Sequence, residues 1–411
     1  MGSPAGVLAF SPKVMQKAQH AAPVQLLGVY ASPTIRRMKI TDVRVRLFEM
    51  PMPRPFHPTW EPFPTVKARQ HVVEIHTDEG ITGIGSGGVP VRWDVAGRFL
   101  VGQDPFNLEQ HAYNLRSMAF FTGRVWAVEI ALWDIIGKAT GQPIYRLLGG
   151  GSDKLRAYAS TGECSPTAER VDTAQKTVAA GFRAIKIRFH SEDWREDVKT
   201  LEAVRRAVGD KIDIMVDANW GWRIPPDLQR HRWDLRTAIA AAKAMEEYGV
   251  YWLGEPLDAY DYDGLAELRR HLPTLRLAGG ELNRGPEEIK TYLEKGCFDV
   301  YQPDCTMIGG ILTTRKIAAM VESHGLVFTP HTWTNGIGMV ANLHCAAASA
   351  NVPYVEFPYD PPNWTPAERD FMLKEPLTVD SDGYVVLPQK PGLGVEIDEE
   401  KAKRYEKARS A

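Results

Sequence analysis

Cysteine is scarce. The four thiols, Cys164, Cys297, Cys305 and Cys345, form no CxxC pair and suggest no disulfide framework. That excludes a stapled secreted scaffold and leads us to expect reduced thiols in a cytoplasmic protein. A surplus of positive charge is also missing. With 49 Lys and Arg against 51 Asp and Glu, the formal net charge is −2. Nothing is left over to neutralise phosphates, so no nucleic-acid partner is expected. No apolar run reaches membrane-spanning length, so no helical span and no membrane partner are expected.

Residues 1–37 lack Asp and Glu altogether, yet carry Lys13, Lys17, Arg36 and Arg37. Their apolar pieces, "VLAF" and "VQLLGVY", are too short and broken for a signal-peptide core. An acid-poor leader suits a transit peptide; the preferred reading is a dispensable extension before a natural start near Met38. The opening "MGSPAG" lacks the Ser or Thr that myristoylation wants at the sixth position.

What is present describes an ordinary globular chain: 411 residues, 44% apolar and 24% charged. That length favours one large domain plus a smaller one. From Met38, "KITDVRVRLFEM" alternates and "HVVEIHTDEGITGIG" reads as two strands around an Asp78-Glu79-Gly80 turn. A helical stretch follows, with Val125, Val128, Ala131, Leu132 and Ile135 on one stripe, ending at Gly149 to Gly151. Residues 38–154 thus read as a small α+β unit.

Beyond Leu155 the rhythm changes. Short β-branched runs ("LRAYAS", "AIKIRF", "IDIMVD", "VYWLGE", "LRLAGGE", "DVYQPD", "LVFTPH", "YVEFP") alternate with amphipathic helix patterns. This predicts an α/β barrel over residues 155–360. An open doubly wound sheet is the alternative, but no GxGxxG follows its first strand. Residues 361–411 then form a closing segment.

In such barrels the active site lies at the C-terminal strand tips. The tips here carry Lys186 and Arg188, Asp217, Glu255, Glu281, Asp304, His331 and Glu356. Asp217, Glu255 and Glu281 come from three adjacent strands, and three converging carboxylates repel unless a cation sits among them. Oxygen-only ligands favour a hard ion such as Mg2+. Asp304 beside His331 makes a general base. Glu356 either donates a proton or hydrogen bond to substrate, or ties down a loop. In "GFRAIKIRFH" Lys186 and Arg188 share one strand face with His190 next in line, which calls for an anion. A substrate carboxylate near the metal answers that call, because proton removal beside it creates a dianion that a metal and an ammonium stabilise.

The ordered set K-x-R, "DAN", "GEP", "GGE", "QPD", "PHTW" and "VEF", behind an α+β unit, resembles the enolase superfamily, mandelate racemase subgroup, over residues 38–403. The resemblance implies a modified (β/α)7β TIM-type barrel. Its capping domain would be built from both chain ends, with "PLTVDSDGYVVLPQKPGLGVEID" as the returning part. It further implies Asp217, Glu255 and Glu281 as Mg2+ ligands, Asp304 and His331 as the base dyad, Lys186 as the carboxylate-binding lysine and Asn219 at the substrate. A homo-oligomer is implied as well.

One departure matters. Racemases of this group show Lys-x-Lys, whose second lysine serves the face opposite the histidine; Arg188 stands there, and a guanidinium does not act as a base. What remains is one-base dehydration of a sugar acid to a 2-keto-3-deoxy product, with Arg188 and His190 binding substrate hydroxyls or a second carboxylate. Racemisation or epimerisation of a 2-hydroxy acid is the alternative, and a non-catalytic sugar-acid-binding protein a remote one. Lactonising and dipeptide-epimerising relatives place a lysine where Asp304 stands. Substrate choice falls to a loop carrying His57, Trp60 and Arg69, and to the insertion "GWRIPPDLQRHRW".

Overall fold

A computed structural model describes residues 37–87, 93–222 and 232–407, with no side chains described for 93–96. The extension before residue 37 and most of the Trp-rich and Arg-rich insertion therefore lie outside the described residues. Strands β1 (Ile40–Phe56), β2 (Thr65–Thr77) and β3 (Thr82–Ser86) form an antiparallel sheet, as their alternation predicts. On it lies the helix Trp126–Thr140. The expected single apolar stripe is corrected here: every residue from Trp126 to Gly137 is buried, because the helix packs against the sheet and against the helix Gly310–Ser323. Contact with β3 is so close that a Cβ on Gly85 would stand 1.9 Å from Ala127 O; only glycine fits there.

Eight parallel strands follow: β4 (Lys154–Ser160), β5 (Ala184–Arg188), β6 (Asp213–Asp217), β7 (Val250–Gly254), β8 (Arg276–Gly279), β9 (Val300–Tyr301), β10 (Val327–Phe328) and β11 (Val355–Pro358). Their order, β10-β9-β8-β7-β6-β5-β4-β11, pairs the last strand with the first and curls the sheet into a barrel. Helices connect each strand to the next, and among the described residues none of comparable length follows β11. The alternation predicted the barrel, and the family resemblance its (β/α)7β form. The chain then returns: β12 (Tyr384–Val386) pairs with β4, and β13 (Glu406–Lys407) joins the first sheet beside β1.

Alternation sorts the barrel strands into layers. Ile185, Ile187, Ile214, Val216, Leu253 and Leu277 face the helices in the main core. Tyr158, Ala184, Met215, Trp252, Ala278, Val300 and Tyr354 fill a second apolar cluster inside the barrel. Two residues beyond Tyr158, Ala184, Met215, Val300 and Tyr354 stand the buried polar side chains Ser160, Lys186, Asp217, Gln302 and Glu356.

His344 shows how the sheet domain is pinned to the barrel. From the helix Gly336–Ala347, its Nδ1 accepts from Tyr145 N at 3.2 Å and its Nε2–H donates to Leu393 O at 3.2 Å. Burial pushes its pKa from 6.5 down to about 4. Above pH 6.5 the ring is neutral folded and unfolded, and its contribution is complete. Between 6.5 and 4 only the unfolded chain takes up the proton, so stability falls as pH falls, by on the order of 3 kcal/mol in total. Denaturant titrations from pH 7 to 4 should show a shallower loss for His344→Gln than for the wild type; parallel curves would remove His344 from the account.

Candidate active site

Ala184, Lys186 and Arg188 alternate onto the inner face of β5, and all are buried. Lys186 Nζ lies 2.8 Å from Glu356 Oε1 and 3.1 Å from Asp217 Oδ2. These are charge contacts without hydrogen-bond alignment. Beneath it the Tyr158 ring centroid is 5.5 Å away, a cation–π distance. Burial works against the ammonium, yet Glu356, Asp217 and Glu281 outweigh it and raise its pKa.

Arg188 is committed to the protein. Nε donates to Thr161 O at 2.7 Å, Nη1 to Asp217 Oδ2 at 2.6 Å and Asn219 Oδ1 at 3.1 Å, and Nη2 to Ser160 Oγ at 3.2 Å. Its guanidinium carbon lies 4.9 Å from the Trp60 ring centroid and 5.5 Å from that of Trp333. Four of its five N–H donors are thus taken up within the protein. His190 also departs from expectation. Strand β5 ends at Arg188, so alternation no longer aims the imidazole inward; its Nδ1 lies 3.5 Å from Arg188 O and 3.7 Å from Asp197 Oδ1.

Asp217, Glu255 and Glu281 are all buried at successive tips. Burial raises the Asp217 pKa, but Arg188 and Lys186 overcome that and hold it below its ordinary value. Glu255 is driven the other way, well upward, by burial and by Glu281 and Asp217. Burial also raises Glu281, with Asp217 and Glu356 adding to it and His331 opposing. Among described non-glycine residues only Asn219 (φ 51°) and Glu255 (φ 46°) are left-handed, a strain of about 1 kcal/mol each. Both belong to this cluster. Gly221 makes room for Glu255: a Cβ there would come within 2.9 Å of the carboxylate.

Glu255 Oε2 and Glu281 Oε2 are buried without a hydrogen-bond partner. Orphaned, like-charged oxygens fit a hard divalent cation in their chemistry. The expected convergence of the trio is incomplete, however. Among the described residues no three His, Cys, Asp or Glu side chains stand close enough to enclose an ion. The physical reason is visible at Asp217, whose Oδ2 is drawn to Arg188 and Lys186.

The dyad forms as expected. His331 Nδ1 lies 3.0 Å from Asp304 Oδ2, and its Nε2 faces Glu281 Oε2 at 3.8 Å and Glu356 Oε2 at 3.9 Å. Burial alone would lower its pKa; Glu281, Glu356 and Asp304 prevail and lift it from 6.5 to about 9. Glu356 Oε2 accepts from Thr332 N at 2.7 Å, which tethers the loop, and Oε1 faces Lys186 as a counter-ion. Lys186, His331 and Arg188 overcome burial to hold its pKa down at about 2.

Sequence reasoning missed how the loop after β1 docks. Thr59 Oγ1 donates to Asn219 Oδ1 at 2.7 Å, and Trp60 packs edge-on against Trp333, centroids 4.9 Å apart. Beside them a cavity of about 570 Å3 is lined by Trp60, Trp333, Trp364, Lys67, Arg69 and Asn335 among others. Of the three loop residues singled out, Trp60 reaches the site, Arg69 lies in the cavity wall bonded to Glu49, and His57 offers its carbonyl to Cys164 N. An aromatic in "PTW" gives no local clue to a partner more than 120 residues away. The asparagine in "GIGMVANLHCAA" did carry a signal, a lone amide in an apolar helix, and it reaches Asp304 Oδ1 at 2.8 Å.

Known proteins resemble this chain over most of its length. Residues 42–149 match the mandelate racemase / muconate lactonizing enzyme N-terminal domain, and residues 169–401 the enolase C-terminal domain-like family. The chain is 34% identical to the D-galactarolactone cycloisomerase of Agrobacterium fabrum, across 88% of this chain and 97% of that protein. It is 33% identical to the arabinonate dehydratase of Saccharolobus solfataricus, across 66% and 68% respectively. A racemase from Streptomyces coelicolor, solved with bound magnesium, superposes with a TM-score of 0.77 at 28% identity, across 90% of this chain and all of that one (100%).

Removing Arg188 leaves Asp217 with one buried cation instead of two. Arg188→Leu should therefore cost about 3 kcal/mol in denaturant unfolding, the low end for breaking a buried pair. Arg188→Lys should recover part of that. A loss below about 0.5 kcal/mol, the level of ordinary surface changes, would show that Lys186 alone suffices.

Proposed function

The chain belongs to the mandelate racemase / muconate lactonizing enzyme family of the enolase superfamily, and we propose that it is a Mg2+-dependent dehydratase of a sugar acid, an aldonate or aldarate. The observation that carries this reading is an asymmetry across the barrel mouth. On one side His331 is backed by Asp304; on the other, where a second base would stand, Arg188 spends its donors on Thr161, Asp217, Asn219 and Ser160. Chemistry with one base is therefore favoured over chemistry with two.

In this reading Lys186 meets the substrate carboxylate and shares its growing charge. His331 Nε2 takes the α-proton, with Asp304 holding Nδ1 and so the ring's direction. The β-hydroxyl leaves with a proton, which His331 can return in a syn elimination; the enol becomes a 2-keto-3-deoxy acid, and one water is lost overall. Asn219 and Glu356 hold the surroundings in place. A divalent ion held by Asp217, Glu255 and Glu281 would supply Lewis-acid stabilisation of the charge developing beside the carboxylate. A cytoplasmic homo-oligomer without nucleic-acid or membrane partners belongs to the same proposal; among the described residues no helix is long and apolar enough to cross a membrane.

The cycloisomerase relative favours a second reading. On this site that reading would have the same proton removal expel a lactone ring oxygen in place of a free hydroxyl. Sugar acids, diacids and their lactones offered with Mg2+, and semicarbazide as the 2-keto-acid trap, separate the two. The expected result is a keto acid from a free acid. A product with inverted C2 and its hydroxyl retained would indicate epimerisation. His331→Asn should lower turnover by roughly 10^2- to 10^4-fold while metal binding persists; full activity would place the base elsewhere.

Metal binding should also depend on pH in a stated direction. Without the ion, His331 keeps its proton up to about 9 and burial with neighbouring carboxylates holds the Glu255 proton well above its usual range. A cation entering beside Glu281 disfavours both protons. Calorimetric Mg2+ titration near pH 7.5 in buffers of different ionisation enthalpy should thus show proton release, with affinity rising as pH rises. Identical heats in every buffer would contradict the assignment.

A further inference from the structure

The two oxygens of Asp304 are used very differently. Among the described residues Oδ2 accepts from His331 Nδ1 alone, at 3.0 Å. Oδ1 accepts three times at 2.8 Å, from Thr306 N, Thr306 Oγ1 and Asn342 Nδ2. The backbone donor is local, supplied by the turn that starts the helix Cys305–Ile308. The amide is not: Asn342 arrives from the helix Gly336–Ala347, in which every residue is buried.

Its orientation follows from donor and acceptor chemistry. Asn342 Oδ1 accepts from Cys305 N at 2.9 Å, so the NH2 must face the carboxylate; reversed, oxygen would oppose oxygen. The second NH2 hydrogen lies toward Thr332 Oγ1 at 3.3 Å and Gly338 O at 3.4 Å. Thr332 follows His331 directly, and its N–H donates to Glu356 Oε2 at 2.7 Å. One amide thus ties the tip bearing Asp304 to the loop bearing His331, and through Thr332 to the carboxylate that faces Lys186. An apolar side chain would fill this helix position as well, but it would leave Cys305 N–H without an acceptor and Asp304 Oδ1 short of one donor.

We propose that Asn342, together with the Thr306 hydroxyl, is a positioning residue for proton removal. By occupying Asp304 Oδ1 they leave Oδ2 as the acceptor for Nδ1, and so fix the direction of Nε2. The inference rests on the reading of His331 as the base, and its test has a readout that does not.

Asn342→Ala and Thr306→Val should lower kcat for dehydration roughly 10- to 100-fold, the range for removing a ligand-orienting partner, with KM within about twofold. Thr306→Ser, which keeps the hydroxyl, should stay near wild type. In substrate-free protein labelled with 15N-histidine, the downfield Nδ1–H proton of His331 should shift and broaden in Asn342→Ala and Thr306→Val, and stay in place in Thr306→Ser. Unchanged kcat and an unmoved resonance in both amide and hydroxyl variants would overturn the proposal. So would equal losses in Thr306→Ser and Thr306→Val, which would mark a packing effect. Should Asn342→Ala not fold, the Thr306 pair decides. Should the wild type turn over no sugar acid, the catalytic reading fails by itself and the resonance decides whether Asn342 and Thr306 position His331.

Discussion

Two cations and one carboxylate, buried together on adjacent strands, hold the barrel mouth in shape. Parallel pairing sets Arg188 directly beside Asp217, and Lys186 lies two residues back on the same face. Charges in such a place persist only when each is met by charge and hydrogen bonds. That requirement recruits the surroundings. Thr161 and Ser160 come from the neighbouring strand and its end, Asn219 takes a left-handed backbone to present its oxygen, and Trp60 and Trp333 lie against the guanidinium. Through Asn219 the loop after β1 is drawn down by Thr59. A single arginine thereby links two barrel strands, a strained turn and the sheet domain.

The same packing explains what the amino-acid sequence disclosed and what it withheld. Barrel strands are legible because alternation is local: in "AIKIR" the isoleucines must face helices once Lys186 and Arg188 face inward. The tips are legible for the same reason, since an ionisable residue right after an apolar run has few other places to go. The helix Trp126–Thr140 misleads because burial on all sides erases the polar face that a stripe needs. His190 misleads because period-two counting was carried past the strand's last residue. Partners distant in sequence, such as Trp60 with Arg188 or His344 with Leu393, depend on how two domains meet. No window of neighbouring residues contains that.

Arg188 also separates two kinds of function that one scaffold supports. A lysine at its place could lose a proton within reach of a substrate carbon. A guanidinium stays charged, and here four of its five donors already have acceptors on β4, β6 and the turns that follow them. In the reading proposed above, an arginine here braces the site and supplies no second base, which favours elimination from one face over inversion at carbon.

Charge balance around the ring points to what completes it. Asp217, Glu255, Glu281, Asp304 and Glu356 are all buried, against the fixed cations Lys186 and Arg188. Five acids facing two bases leave a deficit of positive charge that a low-dielectric interior does not tolerate. Proton affinities shift in answer: against burial, Glu281, Glu356 and Asp304 lift the His331 pKa to about 9, and burial with repulsion from Glu281 and Asp217 raises that of Glu255. Asp217 and Glu356 stay ionised because the two cations already serve them. In the proposed reading, a divalent ion beside the orphaned oxygens of Glu255 and Glu281 would answer the same deficit from the other end. Cation and protons would then compete for one pool of negative charge, and His331 would give up its proton more readily with the ion held there.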